Sequence, residues 1–228
     1  MVSVHERLMR WAYTTLMSLV ALSLPLVAFF NPKWRRWYLG RRHQVIPPFA
    51  TDKPVVWMHV ASLGEWEQGR PLLHALRSAR PEYSYVITFF SPSGYERVYD
   101  WGEADWVGYL PLDTPGDARS FVRALAPKLV IWVKYDFWYW HWRAIREYGA
   151  PMVLIAAVFR EHHTLDKGWA RFIRREVISA RQIAVQDAGS SRRLASWGYT
   201  NSIIAGDTRV DRVLEIAGTT WEDPVLQA

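Results

Sequence analysis

The 228-residue sequence contains no cysteine, so it can form neither a disulfide nor a thiolate metal site. It has no G-x-G-x-x-G motif and no P-loop lysine motif, which disfavours a dinucleotide or Walker-type site. The adjacent histidines His162 and His163 lack the spacing of paired zinc ligands, and we interpret them as part of a polar loop. The sequence therefore predicts neither a metal site nor a cofactor.

The net charge of +6 comes from the first fifty residues. Of the 28 Lys and Arg residues, seven lie in residues 1–50, where Glu6 is the only acid; the remainder holds 21 basic and 21 acidic residues. A nucleic-acid-binding protein usually carries a basic patch on its folded domain, so no nucleic-acid partner is expected. Basic residues that bracket an apolar stretch indicate a membrane surface instead.

That apolar stretch, from Trp11 to Phe30, is twenty residues without a charge, about the length needed to cross a bilayer core of roughly 30 Å. A cleaved signal peptide is disfavoured because no small-x-small site precedes the following basic run. A spanning helix and an interfacial or re-entrant helix fit equally well, since Pro25 interrupts the apolar run. The heavier basic flank after the stretch predicts that the rest of the chain is cytoplasmic.

After this segment, short apolar strands alternate with helices, a pattern typical of βαβ units and a parallel sheet covered on both faces. We predict a membrane anchor with a basic flank over residues 1–42, a linker over 43–53 and a doubly wound α/β domain over 54–212. The predicted strands are 55–60, 85–90, 106–110, 129–133, 152–158, 182–185 and 202–205. The predicted helices are 67–80, 95–101, 117–126, 137–148, 165–180 and 188–197.

Ligands of such folds bind beyond the carboxyl ends of the strands. In the loop after the first strand, Gly64 permits a tight turn and Glu65 lies at a helix start. Glu65 is either an acid stabilised by the helix dipole or a general base. In the loop after the second strand, Ser93 and Glu96 have capping-box spacing, although a helix start with hydroxyls also suits an anion.

The later loops leave similar alternatives. Lys134 and Asp136 are either a salt-bridged strand end or a pair that faces a ligand. Arg209 is either a clamp for a phosphate or carboxylate, or a member of a surface ion pair. For the loop at 111–117 we predict a structural role, with turn residues and a helix cap. Tryptophan is abundant, with 14 residues, which suits sugar stacking or a lipid interface as well as core packing.

Five segments, in this order and spacing, resemble the 3-deoxy-D-manno-octulosonic acid (Kdo) transferases of lipopolysaccharide assembly: HVASLGEWEQGRPLLHAL, TFFSPSGYERV, YLPLDTPGDARSFV, PKLVIWVKYDFW and GDTRVD. The resemblance implies an inverting enzyme of GT-B architecture, whose first domain is a Rossmann-like doubly wound parallel sheet preceded by a membrane-anchor helix. It also implies CMP-Kdo as donor, a phosphorylated lipid A precursor as acceptor, no cofactor, and a place at the cytoplasmic face of the bacterial inner membrane.

The resemblance assigns roles to particular residues. Glu65 matches the catalytic base of the family's S-x-G-E loop. The family's M-E-T-E-L-W stretch falls on 133–138, so its two glutamates become Lys134 and Asp136, and the lysine of its G-x-L-K-F-D stretch becomes Arg209. Lys134 departs from the family pattern, because the family has a glutamate at this position. The implied substrate-binding residues are Ser62, Gly64, Ser91, Ser93, Gly94 and Trp138.

The family's second domain, which holds most of the CMP-Kdo site, has no counterpart in these residues. By the resemblance, 213–228 would begin the crossover to that domain, and the chain would be an acceptor-binding half that binds the lipid without turnover. Two alternatives stay open. One is a catalytically inactive membrane-anchored module, and the other is a different GT-B sugar transferase or a protein similar to sugar-nucleotide epimerases.

Overall fold

The computed structural model describes residues 3–46, 53–100, 102, 104–134 and 136–210. Its centre is a seven-stranded, wholly parallel sheet in the order β3-β2-β1-β4-β5-β6-β7. The strands are β1 (Val55–Val60), β2 (Ser84–Phe89), β3 (Trp106–Tyr109), β4 (Pro127–Val133), β5 (Met152–Ala157), β6 (Gln182–Val185) and β7 (Ser202–Ile204). All seven predicted strands are confirmed, with ends that differ by at most two residues.

Helices connect the strands and cover both faces of the sheet. They are α1 (Val4–Phe30), α2 (Pro32–His43), α3 (Leu63–Ala79), α4 (Pro92–Val98), α5 (Pro115–Leu125), α6 (Tyr139–Tyr148), α7 (Arg171–Val177) and α8 (Ala188–Ser196). Alternate residues of β1 enter different cores: Trp57 packs with Trp132 and Phe121, whereas Met58 belongs to the cluster on the other face. The doubly wound α/β prediction is therefore confirmed, and strands β1 and β2 are buried on both faces as their sequence indicated, whereas Ile203 and Ile204 of the edge strand β7 are exposed.

Three predicted helices have bounds that differ by three residues or more, and the one expected over 67–80 begins at Leu63. The helix expected over 165–180 is replaced by two 3-10 turns, Thr164–Asp166 and Gly168–Ala170, followed by the shorter α7. The break lies at Lys167, which is extended, and the following glycine is a poor helix former. The helix expected over 95–101 begins earlier, because Pro92 has the backbone preorganised for a first helical position.

The N-terminal helix α1 is the one helix of the described residues that is long and apolar enough to cross a membrane, on length and composition alone. One of its faces packs on the α/β domain along most of the helix. Near the start, Glu6 is buried and lies 3.2 Å from the guanidinium of Arg175. Near the end, Leu24 and Ala28 are buried.

The opposite face of α1 is an exposed apolar stripe with helical spacing. Its members are Val4, Leu8, Trp11, Leu16, Leu19, Leu22, Leu26, Phe29 and Phe30. Helix α2 then returns over the domain, where the indole N–H of Trp37 and the guanidinium of Arg41 donate to the carbonyl of Phe90. Part of the predicted linker, 47–52, and the predicted crossover, 213–228, lie outside the described residues.

Candidate functional site

The candidate site lies where the strand order reverses, between β1 and β4. Connections from these two strands run to opposite sides, so the loops beyond their carboxyl ends leave a crevice, the usual ligand position of open α/β sheets. Glu65 follows β1, and Lys134 and Asp136 follow β4. The sheet topology therefore brings together three residues that the sequence analysis selected from separate loops.

Glu65 is held at the start of α3. Ser62 is the N-cap residue, and its hydroxyl accepts from the Glu65 backbone N–H at 3.4 Å. One carboxylate oxygen of Glu65 accepts from the Ala61 backbone N–H at 2.5 Å. The residue is only 7% exposed. Glu65 is thus a helix-start acid, as one interpretation of the sequence had it, and it is also buried at the sheet edge.

Burial raises the pKa of Glu65 from 4.5 to about 7. The Ala61 hydrogen bond opposes this shift because it favours the ionised form; the charge of Asp136 adds to the shift, and that of Lys134 opposes it. A carboxyl group with a pKa near neutrality is suited to accept a proton and release it again. The pKa of Glu65 therefore depends on the charges of Asp136 and Lys134 as well as on its own burial.

Lys134 and Asp136 are fixed by backbone hydrogen bonds. Lys134 has a φ of 63°, in the left-handed region, and its N–H donates to the Ile155 carbonyl at 2.9 Å. The carbonyl of Asp136 accepts from the indole N–H of Trp132 at 2.8 Å. Burial also raises the pKa of the Asp136 carboxyl. A tight turn therefore carries both polar side chains beyond β4.

The loop after β2 differs from its sequence prediction. The predicted capping box between Ser93 and Glu96 is wrong. Ser91 is the N-cap residue, because Pro92 begins the helix. Glu96 instead lies 3.9 Å from Arg36 of α2. The hydroxyls of Ser91 and Ser93 are hydrogen bonded at 2.8 Å.

The two glycines chosen as site residues differ in their surroundings. A side chain at Gly94 would meet Phe89 at 2.5 Å, so close packing requires a glycine there. Gly64 is exposed, and an added methyl group would meet only the Ser62 hydroxyl, at 4.0 Å. The backbone near Gly64 is therefore open to a ligand, whereas Gly94 has a packing role of its own.

Arg209 forms an ion pair with Asp207, whose carboxylate also accepts from the amide of Gln68 at 3.2 Å. The surface ion-pair interpretation of Arg209 therefore holds locally. Gln68 is fully buried and was missed by the sequence analysis. Its position three residues after Glu65 puts both side chains on one face of α3, which is the signal that could have identified it.

A cavity of about 370 Å³ adjoins the crevice and is rich in cationic side chains. Lys134 and Arg209 line it. Arg160, His163 and Gln186 line it too, although the sequence analysis assigned no role to the first and last and interpreted His163 as a polar loop residue. Burial lowers the pKa of His163, which favours its neutral form. Among the residues that the structure describes, no carboxylate lines this cavity, so the cavity suits an anionic group.

The loop after β3 is structural, as predicted. Asp113 is buried and accepts from the Tyr13 hydroxyl at 2.5 Å, from the backbone N–H groups of Trp140 and His141, and contacts the His141 ring at 2.8 Å. Thr114 caps α5. This network joins α1 to the start of α6, and therefore to the loop that carries Asp136 and Trp138. Within the described ranges, no group of three or more His, Asp or Glu residues could hold a metal ion.

The part of the chain that matches known proteins includes the residues of the crevice. The family model for 3-deoxy-D-manno-octulosonic-acid transferase (kdotransferase) matches residues 36–212. A 3-deoxy-D-manno-octulosonic acid transferase of Chlamydia trachomatis serovar D is 36% identical over 139 residues, which are 59% of this chain and 32% of that protein. The enzyme of that name from Haemophilus influenzae is 30% identical over 200 residues, 83% of this chain and 46% of that protein. The chain thus spans less than half the length of both relatives.

Among solved structures, a UDP-N-acetylglucosamine 2-epimerase has the same fold, with a TM-score of 0.57 over 77% of this chain and 54% of the epimerase chain. The two sequences are 14% identical, so the likeness concerns the fold alone. It agrees with the Rossmann-like, GT-B-type first domain that the sequence resemblance implied.

Proposed function

Because this chain belongs to the 3-deoxy-D-manno-octulosonic-acid transferase family, we propose that it takes part in the transfer of Kdo from CMP-Kdo to a phosphorylated lipid A precursor. The observation that carries this proposal is the position of Glu65, a buried carboxyl group with a pKa of about 7 in the crevice between β1 and β4. The epimerase-like fold gives no separate support to another reaction, since that similarity is limited to architecture.

In the proposed reaction, Glu65 accepts the proton of an acceptor sugar hydroxyl. The oxygen of that hydroxyl attacks the anomeric carbon of Kdo from the face opposite the nucleotide. The bond between this carbon and the phosphate oxygen breaks, and CMP leaves with the electron pair, which inverts the configuration. A base with a pKa near the working pH is the most effective one, because a substantial fraction is ionised while the ionised form is still basic enough to accept a proton.

The cationic side chains would bind the anionic groups of the substrates. Lys134 and Arg209 line the cavity beside Glu65 together with Arg160, and a carboxylate or phosphate held there would meet fixed positive charge. Asp136 lies close enough to Glu65 to raise its pKa, so we assign it a role in tuning the base. The further contacts proposed for the acceptor are Ser62, Gly64, Ser91, Ser93, Gly94 and Trp138.

The exposed stripe of α1 supports a membrane location at the cytoplasmic face of the inner membrane. The first half of α1 contacts the α/β domain, through Glu6 and Arg175 and through Tyr13 and Asp113, and Leu24 and Ala28 near its end are buried. A helix held along a globular domain in this way cannot also cross a bilayer. We therefore propose that α1 lies in the plane of the interface, with its apolar stripe in the lipid.

The donor assignment is tested by expression of the whole open reading frame that contains these residues. Membranes from these cells receive the lipid A precursor with either CMP-Kdo or UDP-N-acetylglucosamine, and the lipid products are identified by mass spectrometry. We expect a sugar-modified lipid only with CMP-Kdo. Transfer or epimerisation of the UDP-sugar, with no Kdo-bearing lipid, would contradict the proposal.

A further inference from the structure

An apolar groove of about 460 Å³ lies between the N-terminal helices and the end of the sheet. Its walls come from α1, α2 and the loops that follow β2, β3 and β4. Apart from Ser91, every side chain that lines it is hydrophobic. The volume falls in the range of small-ligand sites, roughly 300–1,000 Å³.

The groove adjoins the proposed catalytic crevice. Trp138 forms part of its wall, stacks on Phe90 with ring centroids 4.7 Å apart, and lies two residues after Asp136 in the loop that follows β4. Ser91, the polar residue of the groove, is hydrogen bonded to Ser93. A molecule in the groove would therefore extend directly towards the loops assigned to the acceptor.

Helix α1 separates the groove from the membrane-facing surface. Met17, Val20 and Leu24 line the groove, whereas Leu19 and Leu22 on the opposite side are 58% and 76% exposed. Helix α1 thus has two apolar faces, one that lines the groove and one that is exposed. The groove therefore lies directly behind the helix whose exposed face we assign to the lipid interface.

Helix α2 supplies charge complementarity for a phosphorylated lipid. Trp34 and Trp37 line the groove, while the helix carries five Lys and Arg residues and no acid. A protein helix is a poorer occupant: at roughly 10–12 Å across with its side chains, about one turn would fill this volume. An acyl chain is narrow, apolar and attached to an anionic head group.

We propose that this groove holds one acyl chain of the phosphorylated lipid acceptor, a site that rests on the proposed function. The chain would lie beneath α1, with the head group at the Ser91 and Trp138 end. Its burial would align the acceptor sugar with Glu65 and would favour acylated over deacylated acceptors, because each buried methylene group adds to affinity. The α1 helix would then be a wall of the substrate site as well as a membrane contact.

The test fills the groove from α1. Val20→Trp places a large ring in it, and Met17→Trp does so from the preceding turn; Leu19→Trp is the matched control on the exposed face. The full chain is purified in dilute detergent, and its dissociation constants are measured for the lipid A precursor and for the deacylated, phosphorylated form. Circular dichroism and retained binding of the deacylated form report that each variant is folded.

We expect both groove variants to weaken binding of the acylated acceptor by about tenfold or more and to leave the deacylated form unaffected. Leu19→Trp should bind both forms like the wild type. Equal affinity of folded wild type and groove variants for the acylated acceptor would overturn the groove assignment and leave the proposed function intact. Phosphatidylglycerol with the same acyl chains is tested as a competitor of the lipid A precursor. If it competes as strongly as the precursor itself, the choice of the acceptor lipid as occupant is overturned. No binding of either form by the wild type would overturn the proposed function together with the groove.

Discussion

Glu65 illustrates what a single residue's sequence position does and does not reveal. Its place after a strand and at a helix start followed from the pattern of residues 55–80, and the resemblance implied its role as base. Its pKa did not follow, because that depends on burial and on the charges of Asp136 and Lys134, which come from a distant part of the chain. The two interpretations of Glu65, as a helix-start acid and as a general base, are therefore compatible with the same conformation.

The pKa of Glu65 gives a stability prediction with a defined sign. Its folded-state pKa of about 7 exceeds the ordinary 4.5, so the folded state holds the proton more tightly than the unfolded chain does. This stabilisation is fully present below pH 4.5 and is lost as the pH rises to about 7. Relative to Glu65→Gln, which cannot ionise, the wild type should lose about 3 kcal/mol of unfolding free energy over this range.

Urea unfolding of wild type and Glu65→Gln between about pH 4 and pH 8 measures this difference. The surface variant Glu82→Gln is the matched control and should follow the wild type throughout, since Glu82 is exposed. Parallel curves for wild type and Glu65→Gln would mean that Glu65 titrates normally and is a poor candidate for the base.

The cationic cavity shows why several site residues escaped prediction. Arg160 and His163 follow β5 and Gln186 follows β6, and no motif links them in the sequence. Each is individually ordinary for a surface loop, and only the order of β4, β5 and β6 in the sheet makes them neighbours. Ser93 was misassigned for a local reason, because the effect of Pro92 on the helix start outweighed the capping-box spacing.

At the scale of elements, α1 has two faces with different partners. The sequence shows a long apolar run, but such a run is compatible with either a spanning or an interfacial helix. The structure distinguishes the two faces: Tyr13 contacts Asp113 of the domain and Leu24 and Ala28 are buried, whereas the stripe that includes Leu19 and Leu22 is exposed. The network around Asp113 joins this helix to the loops of the candidate site.

The proposed in-plane position of α1 predicts which side of a membrane its two ends face. The chain has no cysteine, so single cysteines can be introduced without background. In sealed vesicles, His5→Cys and Arg35→Cys, both at exposed positions, should react with an impermeant maleimide from the same side. Leu22→Cys should react only after detergent is added, because its side chain would lie in lipid.

The control for this measurement is the unmodified chain, which should not be labelled. A spanning helix would place residues 5 and 35 on opposite sides, so labelling of one only from the outside and the other only from the inside would refute the in-plane position. Full labelling of Leu22→Cys without detergent would instead mean that the apolar stripe does not face lipid.

At the scale of the whole molecule, the strand order explains why the selected loops converge. The sequence predicted seven strands and a parallel sheet, and both are confirmed. It did not predict the order β3-β2-β1-β4-β5-β6-β7, because strand neighbours are set by long-range packing. That order puts the loops after β1 and β4 on either side of the switch point, and so places Glu65 near Lys134 and Asp136.

The central claim is that Glu65 acts as the base of sugar transfer to a phosphorylated lipid. Its most direct test compares wild type and Glu65→Gln, each expressed from the whole open reading frame, in the formation of Kdo-bearing lipid from CMP-Kdo and the lipid A precursor. Loss of a positioned general base typically costs about 10²–10⁴ in rate, so the account predicts product with the wild type and a loss of that size in a folded Glu65→Gln protein. Equal rates for the two proteins would contradict it.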